Sequence, residues 1–266
     1  MSVAVARMTP ATASGTYLPS PPNRWKIWRQ ANTITLLLIL LGGTAHSSSE
    51  IRPNRPHHPQ AGHLWATLDR DQITTQLAAH YGDRAQQRGQ SWLTTLEQAI
   101  RAPVTEQLFQ INRFFNLFTF IDDARLWGES NYWATPLEFI GANGGDCEDF
   151  AIAKYFSLIQ LGVPRQKLRL TMVKALSLNQ YHMVLTYYDT PTAIPLVLDN
   201  LDPKIKPATQ RQDLLPVYSF NAEQLWLNKQ KGRGELAGDA SRLQKWNDLN
   251  YRLGAAVLRQ PRISLE

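Results

Sequence analysis

Residues 144–164 read GGDCEDFAIAKYFSLIQLGVP, and this stretch sets the frame for the rest of the chain. From 147 to 161 there is no proline or glycine, and Phe150, Ala151, Leu158 and Leu161 mark an apolar side. Ala153, Tyr155 and Phe156 broaden that side, the pattern of a helix buried on most of its faces. Gly162 and Pro164 end it. The only cysteine of the chain, Cys147, therefore opens a helix. There it feels unpaired N–H groups and the positive end of the helix, both of which favour the thiolate. Gly144 and Gly145 allow a tight turn and a close approach of the backbone to a substrate carbonyl. N–H groups at such a turn can hold an oxyanion. Asp146, Glu148 and Asp149 act in the opposite sense, because carboxylates beside a thiol raise its pKa. A cationic imidazole or a bound divalent cation would offset them.

The imidazole is readily found. Of six histidines, only His182 follows Cys147. It lies in YHMVLTYY (181–188), which reads as a strand, with LRLTMVK (168–174) before it and PLVLD (195–199) after it. LPVYSF (215–220) reads as a fourth strand. Short turns join the second and third, so an antiparallel pair is expected, with His182 beside Asp199. A carboxylate there accepts the second ring N–H of the histidine and fixes its tautomer. The spacing alone also admits His182 as a structural histidine and Asp199 as a turn-former in DNLDP. Asp146, Glu148 and Asp149 supply oxygen ligands of the kind that calcium prefers. The alternative for the acids is helix capping by Asp146 and first-turn placement of the other two.

Upstream, Ile73, Leu77 and Tyr81 share a helical face that Gly82 and Asp83 interrupt, and Trp92, Leu93 and Leu96 continue the pattern. After Pro103, Leu108, Ile111, Phe114, Phe115 and Phe118 form a broad apolar stripe, flanked by Asn112 and Asn116, which are placed to hold neighbouring loops. Residues 122–145 read as a loop-rich stretch in which Trp127 and Trp133 either anchor the core or wall a cleft. The tail, roughly 241–257, returns to helical spacing through Leu243, Trp246, Leu249, Leu253 and Val257.

The length, 266 residues, allows one domain with a sizeable core or two small ones, and 43% hydrophobic and 19% charged residues exclude disorder and fibrous repeats. The order of elements makes one α+β domain the economical reading. A single cysteine excludes an internal disulfide and a Cys-only metal site. The formal charge of +6 is concentrated in residues 1–45, and the remainder, with 24 basic and 22 acidic residues, is no nucleic-acid-binding body. Arg24, Lys26 and Arg29 precede the apolar run Leu36–Leu41, and Gly42, Gly43, Thr44 and Ala45 follow it. That is the layout of a secretory signal with cleavage after Ala45, an uncleaved anchor being the alternative. The expected organisation is a leader over 1–45, a flexible lead-in over 46–65 containing His57 and His58, and one domain over 66–266. His57 and His58 have no acidic or cysteine partner close in sequence, so a metal role for them has little support.

The segment WATPLEFIGANGGDCEDFAIAKYFSLIQLGVP (133–164), with YHMVL (181–185) and LDN (198–200), resembles the bacterial transglutaminase-like cysteine proteinases. The likeness covers about residues 70–230. It implies a papain/transglutaminase-like fold in which Cys147, His182 and Asp199 are the catalytic residues. It also implies calcium dependence, with the acids flanking the family's cysteine falling on Asp146 and Glu148, and with Asp149 in the same motif. The family implies a periplasmic protease that cuts a large biofilm adhesin near its N-terminus at an Ala-Ala pair. The resemblance further implies sequestration by an inner-membrane receptor that senses cyclic di-GMP, and Trp133 falls in the loop that resembles the receptor-facing region. A transglutaminase or amidase would use the same triad, and a non-catalytic exported binding domain would keep the same fold.

Overall fold

The computed structural model describes residues 70–228 and 234–266. The expected leader, the lead-in and the pair His57 and His58 lie outside the described residues. Helices α1 (Arg70–Tyr81) and α2 (Asp83–Ala99) are separated by Gly82, whose φ of 86° breaks the helical run as the sequence predicts. α3 (Val104–Phe115) begins after Pro103 and buries Leu108, Ile111 and Phe115. Asn112 and Asn116 at its end donate to the carbonyls of Pro203 and Asp199 at 2.9 and 2.8 Å, so they tie down loops as expected. α6 (Cys147–Gln160) is the central helix: every residue from Asp149 to Leu158 is buried. Trp92 of α2 donates its indole N–H to Ser157 of α6 at 2.9 Å, satisfying a polar atom inside the core.

A seven-stranded antiparallel sheet covers one side of α6. Its strands are β3 (Leu168–Ala175), β4 (Gln180–Tyr187), β5 (Leu196–Leu198), β6 (Lys206–Pro207), β7 (Leu214–Phe220), β8 (Gln224–Asn228) and β9 (Gly234–Asp239). The order is β6-β5-β4-β3-β7-β8-β9. Leu168, Leu170, Met183 and Leu185 face the main core, whereas Val173, Val184, Val197 and Leu214 form a smaller cluster. By strand alternation His182 and Asp199 share parity with that second cluster. The β8–β9 hairpin was not expected from sequence.

The stretch over 122–145 holds more order than its glycines imply. It contains the short helices α4 (Asp123–Leu126) and α5 (Pro136–Ala142). A two-residue strand β2 (Gly144–Gly145) pairs in parallel with β1 (Thr119–Phe120). Thr135 and Glu138 make a capping box at the start of α5, with Pro136 at its first position. Glu138 is fully buried and accepts four bonds: from Tyr132 Oη at 2.7 Å, Thr135 N–H at 2.7 Å, Arg252 Nη1 at 2.6 Å and Arg259 N–H at 2.9 Å. It thereby joins α5 to the last helix, α7 (Gln244–Ala255), and to the tail beyond it. Glu138→Ala removes the buried acceptor of these four bonds, leaves the part-buried Arg252 guanidinium without its carboxylate, and is expected to destabilise the fold by about 3–5 kcal/mol. Urea denaturation measures this, and a midpoint equal to wild type would refute the role.

Candidate active site

The turn before Cys147 is built by close approach. Thr119 lies opposite Gly144 and Phe120 opposite Gly145. A Cβ at Gly144 would sit 2.1 Å from the Thr119 carbonyl oxygen, and one at Gly145 2.3 Å from Asp149 Oδ2. Neither glycine has positive φ. They are therefore required for lack of bulk, against β1 and the helix rather than for a left-handed turn. Asp149 accepts the N–H groups of Ala134 at 2.7 Å and Asp146 at 3.2 Å, which fastens the turn to the segment before α5.

Cys147 occupies the first turn of α6 and is half-buried. β5 pairs with β4 only over Leu185–Tyr187, which leaves the β4 edge at His182–Met183 open on that side. The Met183 backbone amide, next to His182, donates a hydrogen bond to the Cys147 sulfur. His182 Nε2 lies 2.7 Å from Asp199 Oδ1, and both residues are buried. Asp199 also accepts from Leu201 N–H at 3.0 Å and, through Oδ2, from Arg211 Nη2 at 2.7 Å. Burial alone would raise the Asp199 pKa, but the bonds from His182, Leu201 and Arg211 outweigh it and hold the carboxyl below the usual carboxylate range. Lys154, on the buried run of α6, is 1% exposed; burial pushes it down to about 7 against the pull of Asp199.

Beside the thiol the charges are of one sign. Asp123, Asp146 and Asp149 each place a carboxylate oxygen within 4.8 Å of the others, and Asp146, Cys147 and Glu148 form a second such group. Glu148 Oε2 is 3.2 Å from the Cys147 sulfur and accepts a hydrogen bond from the thiol. Burial, then Glu148, push Asp123 up to about 8. Asp146 and Asp149 are also raised, chiefly by burial. The Cys147 thiol is pushed up by burial, then by Glu148 and Asp146. Two buried oxygens in this cluster, Asp123 Oδ1 and Asp146 Oδ1, have no hydrogen-bond partner. Unpartnered buried carboxylate oxygens in an all-acidic cluster match a hard divalent cation and are costly without one. The donor set therefore fits calcium. Asp123 was given no role by the sequence reading; it arrives through the β1–β2 ladder.

A model of the bacterial transglutaminase-like cysteine proteinases (BTLCP) matches residues 79–233, more than half of the chain. The chain belongs to this family. Its BTLCP fold is the papain/transglutaminase-like α+β arrangement, and the chain is a cysteine protease by that membership. Three structures of LapG from Legionella pneumophila are similar to it, each 43% identical over 70% of this chain. The EGTA-treated form has a TM-score of 0.63 with 98% of its chain covered, and the calcium-bound form 0.61 with 99%. The third has a TM-score of 0.62 with 98% covered. No curated protein matches.

Of the two readings left open for Trp127 and Trp133, the fold bears out core anchoring, and the receptor contact expected at Trp133 needs correction. Trp133 is only 6% exposed; its ring stacks on Phe220 at 5.7 Å and its carbonyl is held by Arg252. Its apolar area is spent in the core, so it offers no side chain for a receptor to grip. Trp127 is fully buried against Tyr132 and walls no cleft.

Proposed function

We propose that this chain is a calcium-dependent periplasmic endopeptidase with Cys147 as nucleophile, His182 as general base and Asp199 as the group that orients the imidazole. Its proposed substrate is a large biofilm adhesin, cut near the N-terminus at an Ala-Ala pair. A cyclic-di-GMP-sensing inner-membrane receptor is proposed to control it. The observation that carries the reading is the 2.7 Å bond from His182 Nε2 to Asp199, beside a cysteine held on the β4 edge next to His182. The bond occupies Nε2 and leaves Nδ1 to take the thiol proton. The adhesin and its control follow from likeness to the family and to LapG.

His182 removes the Cys147 proton, and the thiolate attacks the peptide carbonyl carbon. As the C–S bond forms, the carbonyl electron pair moves to oxygen. The backbone N–H of Cys147, in the first helical turn, has no intrahelical acceptor and is free to hold that oxyanion. The His182 imidazolium then protonates the amine as the C–N bond breaks. Water, deprotonated by His182, cleaves the thioester and restores the thiol. Asp123, Asp146, Glu148 and Asp149 would hold calcium, which when bound supplies positive charge beside four acids and pins the turn before the nucleophile.

The test incubates the purified chain with adhesin N-terminal fragments, with calcium or with chelator, and reads products by intact mass. A calcium-dependent cut between two alanines is the expected result; calcium-independent cutting, or a cut elsewhere, would reject that part of the reading. Asp123→Asn and Asp146→Asn are each expected to weaken calcium binding about 10- to 100-fold, since affinity follows ligand charge. Titration calorimetry checks this, and unchanged binding in both variants would remove them from the site.

A further inference from the structure

We propose that Arg211 is a positioning residue of the catalytic apparatus, fixing the Asp199 carboxylate so that Oδ1 stays aimed at His182. This rests on the reading of Cys147, His182 and Asp199 as the working triad. Arg211 lies between β6 and β7, 64 residues after the cysteine, and is 5% exposed. Its guanidinium binds two carboxylates at once. Nε and Nη2 donate to Asp213 Oδ1 and Oδ2 at 3.0 and 2.8 Å, and Nη2 also donates to Asp199 Oδ2 at 2.7 Å.

The opposite oxygen of Asp199 accepts from His182 and from the Leu201 amide. The carboxylate is thus gripped on both oxygens, and it cannot rotate without breaking a charge-assisted bond. The forked contact with Asp213 sets the plane of the guanidinium. Only a planar fork held in that way can present a further N–H to Asp199, and a lysine ammonium cannot. The charges also balance at the moment they are needed. Once His182 carries the thiol proton, Asp199 and Asp213 face two cations, His182 and Arg211. A buried ion pair gains little for stability alone, and here Arg211 Nη1 is buried with no partner. Both points favour a role in orientation.

Arg211→Met keeps the bulk of the side chain and removes the donors. It is expected to lower kcat about 10- to 100-fold while changing KM less than about threefold. Arg211→Lys, which keeps the charge without the fork, should lose part of that. Asp213→Asn, at a half-exposed position, should give a smaller loss of the same kind. Nitrogen NMR of the His182 ring supplies a readout that a purely structural role would not move. Wild type should show a single tautomer with the proton on Nε2, and the variants a mixture. Thermal melts establish which variants fold; if Arg211→Met does not, Arg211→Lys and Asp213→Asn carry the test. Folded variants with wild-type kcat and an unchanged Nε2–H signal would overturn the proposal. The NMR arm needs no substrate. A wild-type chain that cuts no adhesin fragment would therefore count against the substrate, while Arg211 is still judged on the imidazole.

Discussion

Cys147→Ala is expected to lower kcat about 10⁶-fold while leaving the protein folded. The chain has no second cysteine to take over the attack. The substitution removes one sulfur at a half-buried position, its bond to Glu148 and its contact with the Met183 amide. Alanine suits the first turn of a helix, and the turn before it is held by Gly144, Gly145 and Asp149, none of which touches the thiol in order to do so. The melting temperature should stay close to wild type. Hydrolysis retained in the purified variant would end the assignment. Loss of activity accompanied by unfolding would instead show that the sulfur is part of the packing.

Asp199→Asn is expected to lower kcat by about 10⁴, through the tautomer of His182 rather than through loss of a contact. An amide has one acceptor and one donor end. The Arg211 guanidinium, being charged, takes the carbonyl end at the position of Oδ2. The NH₂ then faces His182 Nε2, which must become the acceptor. The ring proton moves to Nδ1, the nitrogen that has to receive the thiol proton, and the base is blocked. The same variant tests a pH effect. Because the folded-state pKa of Asp199 is depressed, its contribution to stability is present in full above about pH 4, the unfolded value, and is lost as pH falls below it. Urea melts between neutral and acid pH should therefore show a wild-type stability that falls on acidification, and Asp199→Asn should lack that share of the fall. A variant with near-wild-type kcat, or with identical acid sensitivity, would remove Asp199 from these roles.

The pairing of His182 with Asp199 was legible because strands alternate and only one histidine follows the cysteine. Helix α6 was legible for a similar reason: a run free of proline and glycine, apolar at most positions and ended by Gly162 and Pro164, has one reading. Asp123 was not. It lies well upstream of Cys147, and only the parallel pairing of Thr119 with Gly144 and Phe120 with Gly145 brings it to Asp146. Arg211 was hidden likewise, since a loop side chain that reaches back to another loop leaves no period. Helix α5 carried a readable signal, Thr135-Pro136-Leu137-Glu138, which the surrounding glycines and tryptophans obscured. The β8–β9 hairpin has short strands, two glycines in GELAGD and an irregular register at Leu225 and Trp226, so its alternation was too weak to stand out. Trp133 shows another limit: periodicity in a loop does not say which aromatic ring turns inward.

The fit of Gly144 against Thr119, and of Gly145 against Asp149, has a consequence for how this protein can change. Neither position has room for even a methyl group, and both lie within three residues of Cys147. Any added side chain there meets the Thr119 carbonyl or the Asp149 carboxylate that hold the turn leading to Cys147, so the turn has no mutational slack. Diversification towards new substrates must begin elsewhere, on surfaces where an added side chain meets only solvent.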